Sequence, residues 1–224
     1  MNDAGSKLWN LAHGYLSRRY AVLFYSLLFT LACSPILAAL HRNGNIIESL
    51  LAASLLMAIL PLNAVRSRPL LIAAMVVLWV ARPLMDRLDL PTLSALTMGI
   101  WTIIALLAAA AALRFAMSAS QISAENLYAA LSAYLLAGIY FGVLYWVLEH
   151  LVPGTFNVSG DFSQASAIYF SFVTLATLGY GDIVPKGDIA RGLAIVEGVG
   201  GQLFLAVLVA RLVSLYAKPG NQSS

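Results

Sequence analysis

The chain has 224 residues, of which 61% are hydrophobic and 10% charged, with a mean hydropathy of +0.84. Soluble domains carry charge on about a quarter of their residues, so this composition excludes an ordinary soluble fold and points to an integral membrane protein. The net charge of +3 is small and its basic residues are spread along the chain, which excludes the clustered basic face of a nucleic-acid binder.

A helix needs ~20 mostly apolar residues to cross the hydrocarbon core. Six stretches qualify, at roughly 21–40, 46–63, 69–85, 92–113, 126–148 and 189–216. The first runs from Arg18-Arg19 past Thr30-Leu31-Ala32-Cys33, a faint likeness to a lipoprotein signal peptide. Thr30 suits that recognition site poorly, the polar stretch before it is long, and five further apolar segments follow, so it is read as a retained span. His41-Arg42-Asn43-Gly44-Asn45, Arg66-Ser67-Arg68-Pro69 and Asp86-Arg87-Leu88-Asp89-Leu90-Pro91 separate the next three. The second and third are short, with Pro61, Arg82 and Pro83 near their ends.

The fourth, Leu93 to Leu113, is rich in Ala and Leu and has no basic residue; Arg114 stands alone at its end. A voltage sensor needs several Arg or Lys at every third position, because each charge moved gains only ~2.3 kcal/mol per 100 mV. A conventional sensor is therefore not expected, and Arg82 and Arg87 are read as interfacial side chains. The polar joint Ser118-Ala119-Ser120-Gln121-Ile122-Ser123 divides a four-helix N-terminal transmembrane part (1–120), sensor-like in place only, from a C-terminal unit (121–224). Ser123-Ala124-Glu125-Asn126 is expected to cap the fifth helix.

Cys33 is alone, so no disulfide forms within the chain, and His13, His41 and His150 stand apart at span ends. No metal cluster or nucleophile–base pair suggests an enzyme or a catalytic residue. The positive-inside rule then orients the spans. With the N-terminus inside, Lys7, Arg18, Arg19, Arg66, Arg68, Arg114, Arg211 and Lys218 are cytoplasmic, as are both termini. The hairpin from 149 to 188 lies outside and holds Glu149, Asp161, Asp182 and Asp188, an acidic excess that attracts cations.

That hairpin contains Thr174-Leu175-Ala176-Thr177-Leu178-Gly179-Tyr180-Gly181-Asp182. Gly179 and Gly181 reach backbone angles closed to other residues, and their alternation with Thr177, Leu178 and Tyr180 lets successive carbonyls point towards one axis. Four such segments stack rings of oxygen that replace the hydration shell of K+. The motif occurs once, so a homotetramer is required, with K+ as permeant ion and no cofactor. The fold class expected is an all-α membrane protein, six transmembrane helices with a re-entrant pore helix and selectivity filter between helices 5 and 6, forming a tetrameric channel.

From Glu125 to Tyr216 the chain resembles the pore module of potassium channels, specifically a six-span bacterial-type channel without a charged voltage sensor. The specific part is Tyr169-Phe170-Ser171-Phe172-Val173-Thr174-Leu175-Ala176-Thr177-Leu178-Gly179-Tyr180-Gly181-Asp182-Ile183-Val184-Pro185. The resemblance implies ion sites at the carbonyls of Thr177, Leu178, Gly179 and Tyr180, completed by the Thr177 hydroxyl, with Gly181 shaping the outer mouth. Leu178 replaces the commoner Val and is expected to be buried behind the filter. Tyr169 and Phe170 take the places of two aromatics that brace the filter, and the Tyr180 hydroxyl is expected to lack a donor. Val173 stands where some relatives have a Glu paired with the aspartate after the filter, so Asp182 must find another partner.

The short helix before the filter, about Ser163 to Ala176, has Asp161 or Ser163 as N-cap. It cannot span the bilayer and is acceptable only as a re-entrant element, its negative end favouring a cation in the cavity. The inner helix begins near Ile189 and contains Gly198, Gly200 and Gly201. Close packing and a gating hinge, which the resemblance places at Gly201, are both open readings. The resemblance turns Gln202, Leu205, Val209 and Val213 towards the pore, an apolar inner mouth that closes by constriction and dewetting. Glu197, the one acid deep in a span, is expected to bond the back of the filter through Thr174, with a link to proton sensitivity. A purely structural bond between subunits is the alternative.

The function expected is passive potassium-selective conduction in a lipid membrane, multi-pass, with composition favouring a bacterial inner membrane. Within 224 residues there is no room for a soluble nucleotide- or calcium-binding domain. A weakly selective cation channel and a non-conducting scaffold subunit are the alternatives.

Overall fold

A computed structural model describes residues 18–39, 49–50, 52–53, 56, 72–73, 76–80, 84–85, 88, 91–118 and 123–216. Most of the expected second and third spans, and Lys7, Arg66, Arg68 and Lys218, lie outside the described residues. The continuous elements are α1 (Arg19–Ala39), α2 (Pro91–Ser118), α3 (Ala124–Leu151), β1 (Phe156–Val158), α4 (Gln164–Leu175), β2 (Ile183–Pro185) and α5 (Asp188–Tyr216). Within these, Thr92–Ser118, Ala124–Leu151 and Asp188–Ser214 are each long and apolar enough to cross a membrane.

Small side chains set the closest packing. Ala105, Ala108, Ala109, Ala112 and Ala116 of α2 are buried in one core with Ala129, Ala130, Ala133 and Leu136 of α3. The α2 set recurs at three- and four-residue steps, one face of a helix, and Ala lets two backbones approach where lipid gives no hydrophobic drive. Tyr20, Leu23 and Leu27 of α1 complete this core. Hydroxyls inside the helices bond back to their own carbonyls, Thr30 Oγ1 to Ser26 O at 2.9 Å and Thr102 Oγ1 to Met98 O at 2.9 Å, which removes the cost of an unpaired polar group.

Two tertiary bonds fix the relative direction of the helices. The Tyr20 N–H, in the first turn of α1, donates to Glu125 Oε2 at 3.0 Å. Glu125 sits in the first turn of α3, so one carboxylate faces two helix N-termini, where negative charge is favoured. Arg211 Nη1 of α5 donates to the Ala116 carbonyl at 2.9 Å, a cation at the carbonyl end of α2. The start of α1, the end of α2, the start of α3 and the last turns of α5 therefore share one end of the molecule. Ser123 caps α3 as expected, in a capping box with Asn126.

At the other end β1 and β2 pair antiparallel, Phe156 with Pro185 and Val158 with Ile183. This ribbon is a small addition to a mostly helical structure; three residues per strand are too few to show an alternating pattern in the sequence. Glu149 secures the turn before β1 by accepting from Gly154 N–H at 2.8 Å and Phe156 N–H at 2.9 Å. Behind the ribbon, Phe156 stacks on Phe162 with centroids 4.5 Å apart and meets Tyr145 and Phe170 edge-on.

Candidate functional site

Ser163 is the N-cap of α4, its Oγ accepting from Ser166 N–H at 3.1 Å. Twelve residues give a helix of ~18 Å, shorter than the ~30 Å hydrocarbon core. At its far end Thr177 N–H donates to Thr174 O at 3.0 Å and Leu178 N–H to Val173 O at 2.8 Å, with Thr177 at φ 55°. That pair of bonds is the Schellman cap, whose left-handed position normally belongs to glycine. Holding a β-branched residue there costs ~1–2 kcal/mol.

The cap opens a longer pattern. Thr177, Gly179 and Gly181 have φ of 55°, 61° and 80°, while Leu178 and Tyr180 between them are absent from the positive-φ set. An ordinary strand turns successive carbonyls to opposite sides; a backbone that changes hand at each residue turns them to one side. Residues 176–182 are all exposed in the single chain. Leu178 is 56% exposed in the single chain. The Gln202 amide of α5 reaches the Thr177 hydroxyl, Nε2 to Oγ1, at 3.4 Å.

The two aromatics before this segment face opposite ways. Tyr169 lies nearly parallel to Tyr180, interplanar angle 7° and centroids 6.4 Å apart, which places its hydroxyl within the electrostatic reach of the Asp182 carboxylate. Val173 is buried and apolar, so the polar group on this helix that acts on Asp182 is Tyr169. Phe170 turns away and packs edge-on against Tyr145, centroids 5.1 Å apart. Tyr169→Phe keeps the ring and removes the hydroxyl beside Asp182, and sustained conduction should fall roughly three- to tenfold; an unchanged steady current in reconstituted membranes would show that Asp182 does not depend on that hydroxyl.

Glu197 of α5 is 2% exposed and bonds neither Thr174 nor the filter segment. Tyr145 Oη donates to its Oε2 at 2.6 Å, and its Oε1 meets Ser171 Oγ. Ser171 Oγ also lies 2.6 Å from the Gly138 carbonyl. The expected Thr174 bond fails because Thr174, one turn on from Ser171, meets α5 at Gly198, with its carbonyl 3.6 Å from where a Cβ there would stand.

A family model described as an ion channel matches residues 130–218. The chain is 32% identical over 90 residues to the inward rectifier potassium channel Kirbac3.1 of Paramagnetospirillum magnetotacticum, 38% of this chain and 28% of that protein. Over 48 residues, 21% of this chain and 17% of the relative, it is 50% identical to two-pore potassium channel 4 of Arabidopsis thaliana. Protein LctB of Bacillus caldotenax is 32% identical over 100 residues, 42% of this chain and 74% of LctB. The chain belongs to the potassium-channel pore-module family. It is a multi-pass membrane protein whose C-terminal part matches an ion-channel family. The match spans well under two thirds of Kirbac3.1 and of the Arabidopsis channel. No solved structure matches the chain.

Within this pore module, α5 is helical without a break from Asp188 to Tyr216, through Gly198, Gly200 and Gly201. The three glycines differ. A Cβ on Gly201 would stand 2.7 Å from the Leu175 carbonyl oxygen, so Gly201 allows contact with the last turn of α4. Gly200 faces open space and Gly198 has only ordinary contacts. Gln202, Leu205, Val209 and Val213 are all exposed, and Leu205, Val209 and Val213 form an uncovered apolar face among the described residues.

Sequence reasoning missed Ser171, Tyr145, Gly138 and Gly142. The glycine pair had a readable signal: Gly138-Ile139-Tyr140-Phe141-Gly142 is the small-residue spacing that lets membrane helices touch. A Cβ on Gly138 would fall 2.6 Å from the Phe172 ring, and one on Gly142 2.5 Å from the Ile168 backbone. Ser171 and Tyr145 had none, since only the tertiary fold brings them to Glu197.

Proposed function

We propose that this chain is one quarter of a homotetrameric, potassium-selective channel that conducts passively and is not conventionally voltage-gated. The observation that carries the reading is the segment 177–181, whose backbone alternates in hand and lies exposed in the single chain. A row of carbonyls on one side of one segment makes only part of a cage; four copies around an axis close it into rings that stand in for hydration water. The ion sites are the carbonyls of Thr177, Leu178, Gly179 and Tyr180, with the Thr177 hydroxyl at the innermost ring and Gly181 at the mouth. Six spans carry each subunit, and α4 enters and leaves the bilayer on one side.

The mostly exposed α5 supports the tetramer, since its Leu205, Val209 and Val213 face lacks cover among the described residues. In the assembly that face lines the inner pore, Gly201 serves as packing point and hinge, and lipid covers the outer helices. Arg18, Arg19, Arg114 and Arg211 belong to the end where α1 starts and α2 and α5 finish, which supports cytoplasmic placement of that end and fits a bacterial inner membrane. The absence of basic residues between Leu93 and Leu113 argues against a voltage sensor.

Purified protein in potassium-loaded liposomes tests the reading. Potassium flux blocked by barium, a tetrameric mass in mild detergent and a current without steep voltage dependence are expected. Tetramers without flux would favour the scaffold reading, and steep voltage dependence would overturn the gating assignment.

A further inference from the structure

The hydrogen count around Ser171 carries more than the conduction reading asks of it. Its Oγ stands between two oxygens, the Gly138 carbonyl at 2.6 Å and Glu197 Oε1. A serine hydroxyl has one proton to give and two lone pairs to accept with, and a backbone carbonyl only accepts. Both contacts are satisfied together only if Ser171 gives its proton to Gly138 and receives one from Glu197. The carboxyl must then be the neutral acid, with Oε1–H donating to Ser171 Oγ and Oε2 accepting from Tyr145 Oη at 2.6 Å.

The surroundings agree with a neutral group. Tyr145 faces Glu197 from α3 and Ser171 from α4. Across the adjoining cavity of about 380 Å³ stand Tyr134 of α3 and apolar residues of α2, among them Leu106, Ala109 and Leu113. None of these groups is a cation, and a buried carboxylate with no cation is expensive.

We propose that Glu197 is a positioning residue that works as a neutral acid, tying α5 through Ser171 to α3 behind the filter, and that losing its proton loosens the filter. The tie sits beside one of the close contacts of α4 with α3, the Phe172 ring on Gly138. Ser171 is three residues before Thr174, whose carbonyl accepts the Thr177 N–H of the filter cap, so a shift of α4 at Ser171 reaches the first ion site directly. In the carboxylate form Ser171 must turn its proton to Glu197, and the Gly138 carbonyl loses the Ser171 hydroxyl as a donor. Raising the pH removes the proton, so conduction is highest on the acid side and falls as pH rises.

This inference rests on the conduction reading for its consequence but not for the protonation state, and two measurements keep them separate. Isotope-edited infrared spectra of the reconstituted protein should show a carboxylic-acid carbonyl band at neutral pH, absent in Glu197→Gln and shifted in Tyr145→Phe and Ser171→Ala. Potassium flux of the wild type should drop roughly tenfold from mildly acidic to alkaline pH. Glu197→Gln should hold the acid-side flux at every pH, because its amide donates to Ser171 and its carbonyl accepts from Tyr145. A carboxylate at neutral pH, or a Glu197→Gln channel with the wild-type pH profile, would overturn the proposal. A neutral-acid band in a protein with no flux at any pH would uphold the protonation state and sink the conduction reading instead.

Discussion

Gly179→Asp should abolish potassium flux through the reconstituted protein while helix content and the number of subunits per assembly stay as in the wild type. Gly179 holds φ 61°, and a Cβ there meets nothing within 4 Å in its own chain. The single subunit therefore tolerates the added atoms, and the loss comes from two other sources. A left-handed backbone costs a non-glycine residue ~1–2 kcal/mol, and four substituted subunits pay it in the same ring. Four carboxylates around the axis also replace a graded row of carbonyls with a trap that holds a cation too tightly to pass it. Gly179→Ala separates the two effects, since it brings the backbone cost without the charge; its flux should be strongly reduced, though less completely. Undiminished flux in both variants would show that ions do not pass this segment.

The second large effect is on assembly of the pore module itself. Gly142→Ala places a Cβ 2.5 Å from the Ile168 Cα and 2.9 Å from its backbone nitrogen, and backbone atoms cannot turn aside as a side-chain tip can. Helix α4 must move off α3, at ~1–3 kcal/mol or more per subunit. The thermal midpoint in detergent should fall and flux with it. Gly200→Ala makes the contrast, because that position faces open space and Ala favours helix by ~1 kcal/mol. It should keep or raise thermal stability. If its conduction nevertheless changes, bending at Gly200 is part of opening; if both stability and conduction are kept, the bend lies elsewhere, with Gly201 against Leu175 as the remaining point.

These contrasts mark what the sequence could carry. Span positions follow from runs of apolar residues, and α2, α3 and α5 start and end within a few residues of the expected limits. Ser123 and Ser163 were readable as caps because capping chemistry is local. The alternating backbone hand of residues 177–181 was readable for the same reason: the alternation of glycine with larger residues is written along the chain. What needed the fold was every contact made between elements. Tyr169 and Tyr180 are eleven residues apart with a helix end and a turn between them, and nothing local stacks their rings. Glu197 stood out as a buried acid, but its partner was misjudged, because which face of α4 meets α5 depends on the close approach of α4 to α3 at Gly138 and Gly142. The β1–β2 ribbon was invisible for want of length.

The central claim is that the segment Thr177 to Gly181, repeated four times, selects potassium. The most direct test is the reversal potential of the purified channel in a planar bilayer with potassium on one side and sodium on the other at equal concentration. A large reversal potential, of the sign that marks potassium as the charge carrier and abolished in Gly179→Asp, is predicted. A reversal potential near zero with substantial current would make this a weakly selective cation channel and contradict the account.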